Sequence, residues 1–440
     1  MMLAAEILYC LAIVAVMTLL ILKWRPFFLP GIKKRWVLAA FYLKVIAGLG
    51  LTFIYTSYYS GRNDADIFRY FDDSKVMYDV LKTSPSDYFT MLSGINDDNQ
   101  RFFDDYYSKM DNWYLKYQTV MYNDTHTIIR INAFIRLFSF GFFQVHNIIF
   151  IILGFIGLLA LFKTFIKYFS TKALALYAAV FLIPSVVFWS SGILKESILI
   201  FAMGIFLYSY QQLLFISFNV FRVLLLLFSL VLMYFTKTYV LAVMLPVVIA
   251  NTWIVLTNNR HAFAKQLISL LVFINLAVLA GNINADFNVF QLITNKLHDF
   301  VNLALYSNAG SMIDPIPLEP NFLSFLQYSP NAVINTLFRP FPADINTMIM
   351  VPVLIENIVI VVTLLLAVIF HERKVQNARI LFFCLFFVIV LSVITGLTTP
   401  VLGALARYRI PLLPFLFIML FLLIDFNKIA LLLKIKKVVE

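Results

Sequence analysis

Long apolar runs alternate with polar connections along almost the whole chain of 440 residues. Runs of about 18 or more apolar residues are long enough to cross a hydrocarbon core as helices. The pattern predicts eleven spans: 5–23, 37–57, 146–166, 173–190, 197–213, 217–235, 238–256, 266–281, 349–370, 379–397 and 407–425. Two long segments interrupt them, at about 58–145 and 282–348. The fold class so read is all-α, a polytopic transmembrane helix bundle. It forms a single domain over residues 1–440, with two large loops that contain amphipathic helices. The first run, Ala5 to Leu22, follows an acidic start and lacks a small-residue cleavage site, so it reads as a retained helix.

Charge orients this pattern. The connection from Lys23 and Arg25 to Lys33, Lys34 and Arg35 is wholly basic. Counting alternately, its side of the membrane collects 18 basic residues against three acids, Glu372, Asp425 and Glu440. By the positive-inside rule that face is cytoplasmic, with the N-terminus outside and the C-terminus inside. The opposite side holds the acids: of 23 in the chain, 12 lie between Asp64 and Asp124, all aspartates. At 62% hydrophobic and 13% charged, the composition has about half the charge of a soluble domain. The net charge of +11 suits anionic lipid head groups and does not require nucleic acid. Cys10 and Cys384 lie within apolar runs, which argues against a disulfide, and the five histidines show no metal-ligand spacing.

Segment 58–145 is rich in Tyr, Phe and Trp, so it reads as folded. Thr127 to Phe143 mixes Arg130 and Arg136 with apolar residues at helical spacing. That predicts an interfacial helix with its arginines toward water or phosphates, in preference to a twelfth span.

The unusual polar groups all fall on the outer side. Asp64 and Asp66 follow the second span closely, ahead of Tyr70 and the pair Asp72-Asp73. A carboxylate beside apolar surface can act as a general base, and at a helix start it can also cap. The remaining aspartates of the segment read mainly as hydrating groups. Pro184 to Ser197, with Trp189, Lys195 and Glu196, predicts an irregular link between two spans at the outer surface. Lys195 and Lys237 offer either snorkelling lysines or cations for a phosphate. Arg339 ends the second long segment, and Glu356 lies about 10 Å inside the following span, where an ionisable group faces the interior and has a partner. Arg407 and Arg409, two apart around a tyrosine, can fork onto phosphate oxygens or touch lipid phosphates.

With these residues in place, the chain resembles the GT-C superfamily of membrane glycosyltransferases. The likeness lies in a span followed by Asp64-x-Asp66-x-x-x-Tyr70, a large outer loop and many further spans. Trp189-Ser-Ser-Gly-x-x-Lys195-Glu196, Phe338-Arg339-Pro340-Phe341 and Arg407-Tyr-Arg409-x-Pro411 are similar to segments of bacterial polysaccharide-biosynthesis membrane proteins. The acidic loop follows the second span here and the first in that family, a register that an added helix at 5–23 would restore. The resemblance implies an inverting glycosyltransferase, multi-pass in a bacterial inner membrane, with Asp66 or Asp64 as base or metal ligand. Its donor would be a polyprenyl-phosphate-linked sugar and its acceptor a glycan or glycolipid. Tyr70, Trp189, Lys195, Glu196, Lys237, Arg339, Glu356, Arg407 and Arg409 would be the substrate-binding set. The aspartates are of a type that can hold Mg or Mn, and nothing in the sequence requires a metal. Two other readings stay open: an oligosaccharide repeat-unit polymerase or ligase, and a transporter or flippase of lipid-linked glycans. The near absence of charge expected at the bilayer midplane weighs against transport.

Overall fold

The computed structural model describes residues 2–58, 61–62, 65–114, 123–169, 171–373 and 377–432. It is all-α, and among the described residues β structure is limited to two isolated bridges, Met312 with Val401 and His371 with Ile424. Two long helices open the chain, α1 (Met2–Lys23) and α2 (Lys34–Tyr58). Four shorter ones follow: α3 (Asp66–Val80), α4 (Pro85–Ser93), α5 (Gln100–Asp105) and α6 (Thr125–Ser139). Next come α7 (Phe143–Phe165), α8 (Ala173–Phe181), α9 (Pro184–Trp189) and α10 (Lys195–Phe215). After α11 (Val220–Leu256) and α12 (Ala262–Ile283) lie the two amphipathic helices α13 (Val289–Tyr306) and α14 (Phe322–Phe338). The chain ends on α15 (Val351–Ile369), α16 (Ala378–Thr398), α17 (Leu402–Tyr408), α18 (Leu413–Leu423) and α19 (Phe426–Leu432).

Eight of these helices are long and apolar enough to cross a membrane, or nine if α17 and α18, bent by 64°, make one broken span. The chain is therefore a multi-pass membrane protein by the length and composition of its helices. Four predicted spans take a different form. The run 173–190 divides into α8 and α9, separated where Pro184 starts a new helix. The run 407–425 breaks around Arg409, between α17 and α18. Runs 217–235 and 238–256 are joined as α11, which leaves helical geometry at Lys237 (φ −152°, ψ 82°). The predicted interfacial helix is α6, which is 15 residues long and falls short of a span.

The single domain expected from the sequence gathers into two compact units. One comprises 1–116, 120–164 and 187–237, and the other includes 165–186 and 238–440. The first has a core in which α3 lies along α6. Ile67, Phe68, Tyr70, Met77 and Val80 recur at helical spacing and are buried against Ile128, Ile129, Ala133 and Ile135. In the same unit α7 and α10 cross at Gly157 and Gly204, where a Cβ on Gly204 would lie 2.0 Å from the Gly157 carbonyl oxygen. Small residues permit that approach between apolar helices. In the second unit, Leu297 of α13, Ala332 of α14 and Leu397 of α16 share a buried cluster.

Candidate functional site

In the first unit, the polar segment after α2 is held by internal struts. Asp73 is buried, and its two carboxylate oxygens accept the backbone N–H groups of Asp111 and Asn112, each at 2.9 Å. Burial pushes its pKa up to about 6, against the lowering effect of those two donors. Asp97 accepts from the Tyr107 hydroxyl at 2.7 Å and from Arg130 Nη2 at 2.6 Å. The Tyr107, Trp113 and His126 rings stack in sequence, at centroid separations of 4.1 and 3.8 Å. Burial in that stack draws the His126 pKa down to about 4, so the imidazole is neutral. Asp73 and Asp97 thus brace the segment, a correction to their reading as hydrating groups.

The arginines of α6 correct a second expectation. They turn inward, away from water and phosphates. Arg136 is buried and donates to Ser74 Oγ at 2.8 Å and to the Phe71 carbonyl at 2.6 Å. Arg130 donates to the Met91 carbonyl at 2.8 Å as well as to Asp97. An arginine partnered by protein in this way does not need a lipid phosphate.

Where α6 begins, four elements of the unit bring charge together. Asp124, immediately before α6, accepts from Lys195 Nζ at 2.5 Å and from Lys237 Nζ at 2.9 Å, one lysine on each carboxylate oxygen. Lys195 opens α10 and also donates to Thr125 Oγ1 at 3.1 Å. Lys237 is the residue at which α11 breaks. The break frees carbonyls, and Thr127 Oγ1 donates to that of Phe235 at 2.8 Å. The Tyr70 ring lies under the Lys195 ammonium, 5.7 Å from its centroid. Asp66, in the first turn of α3, adds its negative charge to the field at Lys195. Burial works to raise the Asp124 pKa but is outweighed by the two lysines, so the carboxyl is held below its usual range.

From the sequence candidates, this cluster unites Asp66, Tyr70, Lys195 and Lys237. Glu196 is buried beside it in the chain, and Trp189 sets its ring edge-on to Phe188 at 5.1 Å. The N-cap of α3 is Ala65, so Asp66 occupies the first turn and does not cap; Asp64 lies outside the described residues. Sequence reasoning missed Asp124. Its signal was a carboxylate directly ahead of Thr125 and the apolar periodicity of α6. Among the described residues no three His, Cys, Asp or Glu side chains converge as a metal-binding group. Asp124 faces two ammonium groups that would repel a cation. The cluster therefore does not fit a divalent metal.

The second unit holds the other candidates. Glu356 is buried in α15; its Oε1 accepts from Arg409 Nη2 at 2.8 Å and its Oε2 from the Ser185 N–H at 2.7 Å. Arg409 is fully buried, and its Nη1 also reaches the Thr336, Leu337 and Arg339 carbonyls at 3.3–3.4 Å. Asn357 donates to the carbonyls of Phe338 at 2.8 Å and Pro340 at 3.1 Å. The expected phosphate fork at Arg409 is thus an internal ion pair that ties the break between α17 and α18 to the end of α14. Arg339 is half-buried, 3.7 Å from Asp344. Arg407 is also half-buried, and the following Tyr408 sets its ring against Phe300 at 5.7 Å.

Comparison with protein-family models, curated proteins and solved structures finds no match.

Proposed function

We propose that the protein is a glycosyltransferase using a polyprenyl-phosphate-linked sugar, with Lys195 and Lys237 receiving the donor phosphate and Asp66 serving as base. The observation that carries this reading is the pair of lysines closed on a single carboxylate, with Asp66 and Tyr70 adjoining. A lysine ammonium suits a phosphate as a compact point charge. The helix start at Lys195 adds a partial positive charge of the same sign. In the proposed step Asp66 takes the proton of an acceptor hydroxyl, whose oxygen bonds to the anomeric carbon. The bond from that carbon to the phosphate oxygen breaks, and the lysines stabilise the charge left on the phosphate. On this reading the acidic segment faces outward, the termini lie N-out and C-in, and the membrane is a bacterial inner membrane.

The test is incubation of purified protein in lipid with radiolabelled polyprenyl-linked sugars. Transfer of one sugar, lost in Asp66→Asn and Lys195→Met while the fold persists, is the expected result. A growing ladder would favour the repeat-unit polymerase. Folded protein that transfers nothing from any such donor overturns the proposal. Translocation has one specific observation in its favour, a non-helical stretch at 190–194 set deep among helices of the first unit. Movement of labelled lipid across vesicles without transfer would select it.

A further inference from the structure

Lys44 lies inside the apolar run 37–57, an exception to the near absence of charge expected at the midplane. It is about 15 Å along α2 from Lys34, near mid-span, and fully buried. Among the described residues it forms no ion pair; its Nζ donates to the carbonyl of Ser190 at 2.7 Å and to Ser190 Oγ at 2.6 Å. An ionisable group at such depth is costly, and by default it marks function.

The acceptor shows what the lysine does. Ser190 follows α9 and begins the non-helical stretch that ends at α10. That stretch was expected at the outer surface, yet it packs against the middle of α2 and α7. A Cβ on Gly48 would lie 2.6 Å from the Ser191 carbonyl oxygen, and one on Gly154 would lie 2.6 Å from that of Ser190. Backbone at this depth needs its polar groups satisfied by protein. Lys44 supplies donors at the carbonyl end of α9, where a cation is also favoured by the helix dipole. Ser197 then links the stretch to the first turn of α10, donating from Oγ to the Gly192 carbonyl at 2.8 Å. Lys195 lies between these two attachments and reaches Asp124.

We infer that Lys44 is a positioning residue: its grip on Ser190 fixes the depth at which α10 begins and so brings Lys195 to Asp124. The inference rests on reading that cluster as the donor site, but its first measurement needs no substrate. Ser191→Cys is placed in full-length protein whose Cys10 and Cys384 are replaced by serine and alanine, and maleimide labelling is followed in lipid. Ser191 is fully buried, so its thiol substitute should label slowly while Lys44 is present. Lys44→Met should speed labelling about tenfold or more, and should raise donor KM about tenfold with a smaller change in kcat, the scale of one lost charge-assisted hydrogen bond. Ser190→Ala, which keeps the carbonyl acceptor, should shift both in the same direction by less. Faster labelling in a protein without transferase activity would support the anchor and overturn only the donor-site reading. Folded Lys44→Met with unchanged labelling and KM overturns the inference. If that variant fails to fold, wild-type labelling and KM in Ser190→Ala overturn it equally.

Discussion

Glu356→Gln isolates one buried charge. Glutamine keeps the size of the side chain and can still accept the Ser185 N–H that meets Oε2 at 2.7 Å. It removes the negative charge facing Arg409, whose guanidinium is 0% exposed. The alternatives left to that guanidinium are poor. Its three carbonyl contacts on Nη1 run at 3.3–3.4 Å, and its Nε has no hydrogen-bond partner among the described residues. Removing one side of a buried pair costs about 3–5 kcal/mol, because the other charge stays desolvated and unanswered. Glu356→Gln and Arg409→Gln should therefore each lower the folding constant by about two orders of magnitude or more. The double variant buries no charge, so its loss should fall short of the sum by about 2–3 kcal/mol. Equilibrium unfolding in mixed micelles, followed by tryptophan fluorescence, measures all four corners of the cycle. Two single losses below about 1 kcal/mol that simply add would refute the pair as the tie between α15 and the break before α18.

Asp73 predicts a pH dependence in the first unit. Its folded pKa, about 6, lies above the ordinary 3.8, so its contribution is fully present below about pH 4 and is lost as pH rises through 6. The difference is worth about 3 kcal/mol, and Asp73→Asn should flatten that slope in unfolding or hydrogen-exchange measurements. Gly204→Ala places a methyl group 2.0 Å from the Gly157 carbonyl oxygen, so α7 and α10 must separate. Overpacking of this kind costs about 1–3 kcal/mol, read as a lower Tm in detergent, and an unchanged Tm would contradict the close crossing.

The spans were legible because apolar length alone carries them, and α2, α7, α10, α15 and α16 lie where the runs place them. Hydropathy does not report where such a run bends. Pro184 and Arg409 mark the ends of α9 and α17, but only packing shows that these ends stay inside protein. Pairings distant in sequence were equally hidden. Asp124 and Lys195 are 71 residues apart, and Lys44 and Ser190 are 146 apart. Lys44 shows why counting charge within a window fails: one lysine in the run 37–57 barely lowers its mean, yet it is the polar anchor of that helix.

The cluster also bears on which carboxylate can do chemistry. A general base needs a free lone pair and a pKa near the working pH. Both oxygens of Asp124 are taken by ammonium groups, and its pKa is held below the usual carboxylate range. In this arrangement it is a counter-ion to the lysines and a weak base. With Asp66 the four side chains sum to zero formal charge, so a phosphate bound at the lysines would add net negative charge to a half-buried site. The economical way to admit it is exchange, with phosphate oxygens replacing those of Asp124 on one or both ammonium groups. That exchange would release Asp124 from the cations that depress its pKa, making it more basic only when donor is present.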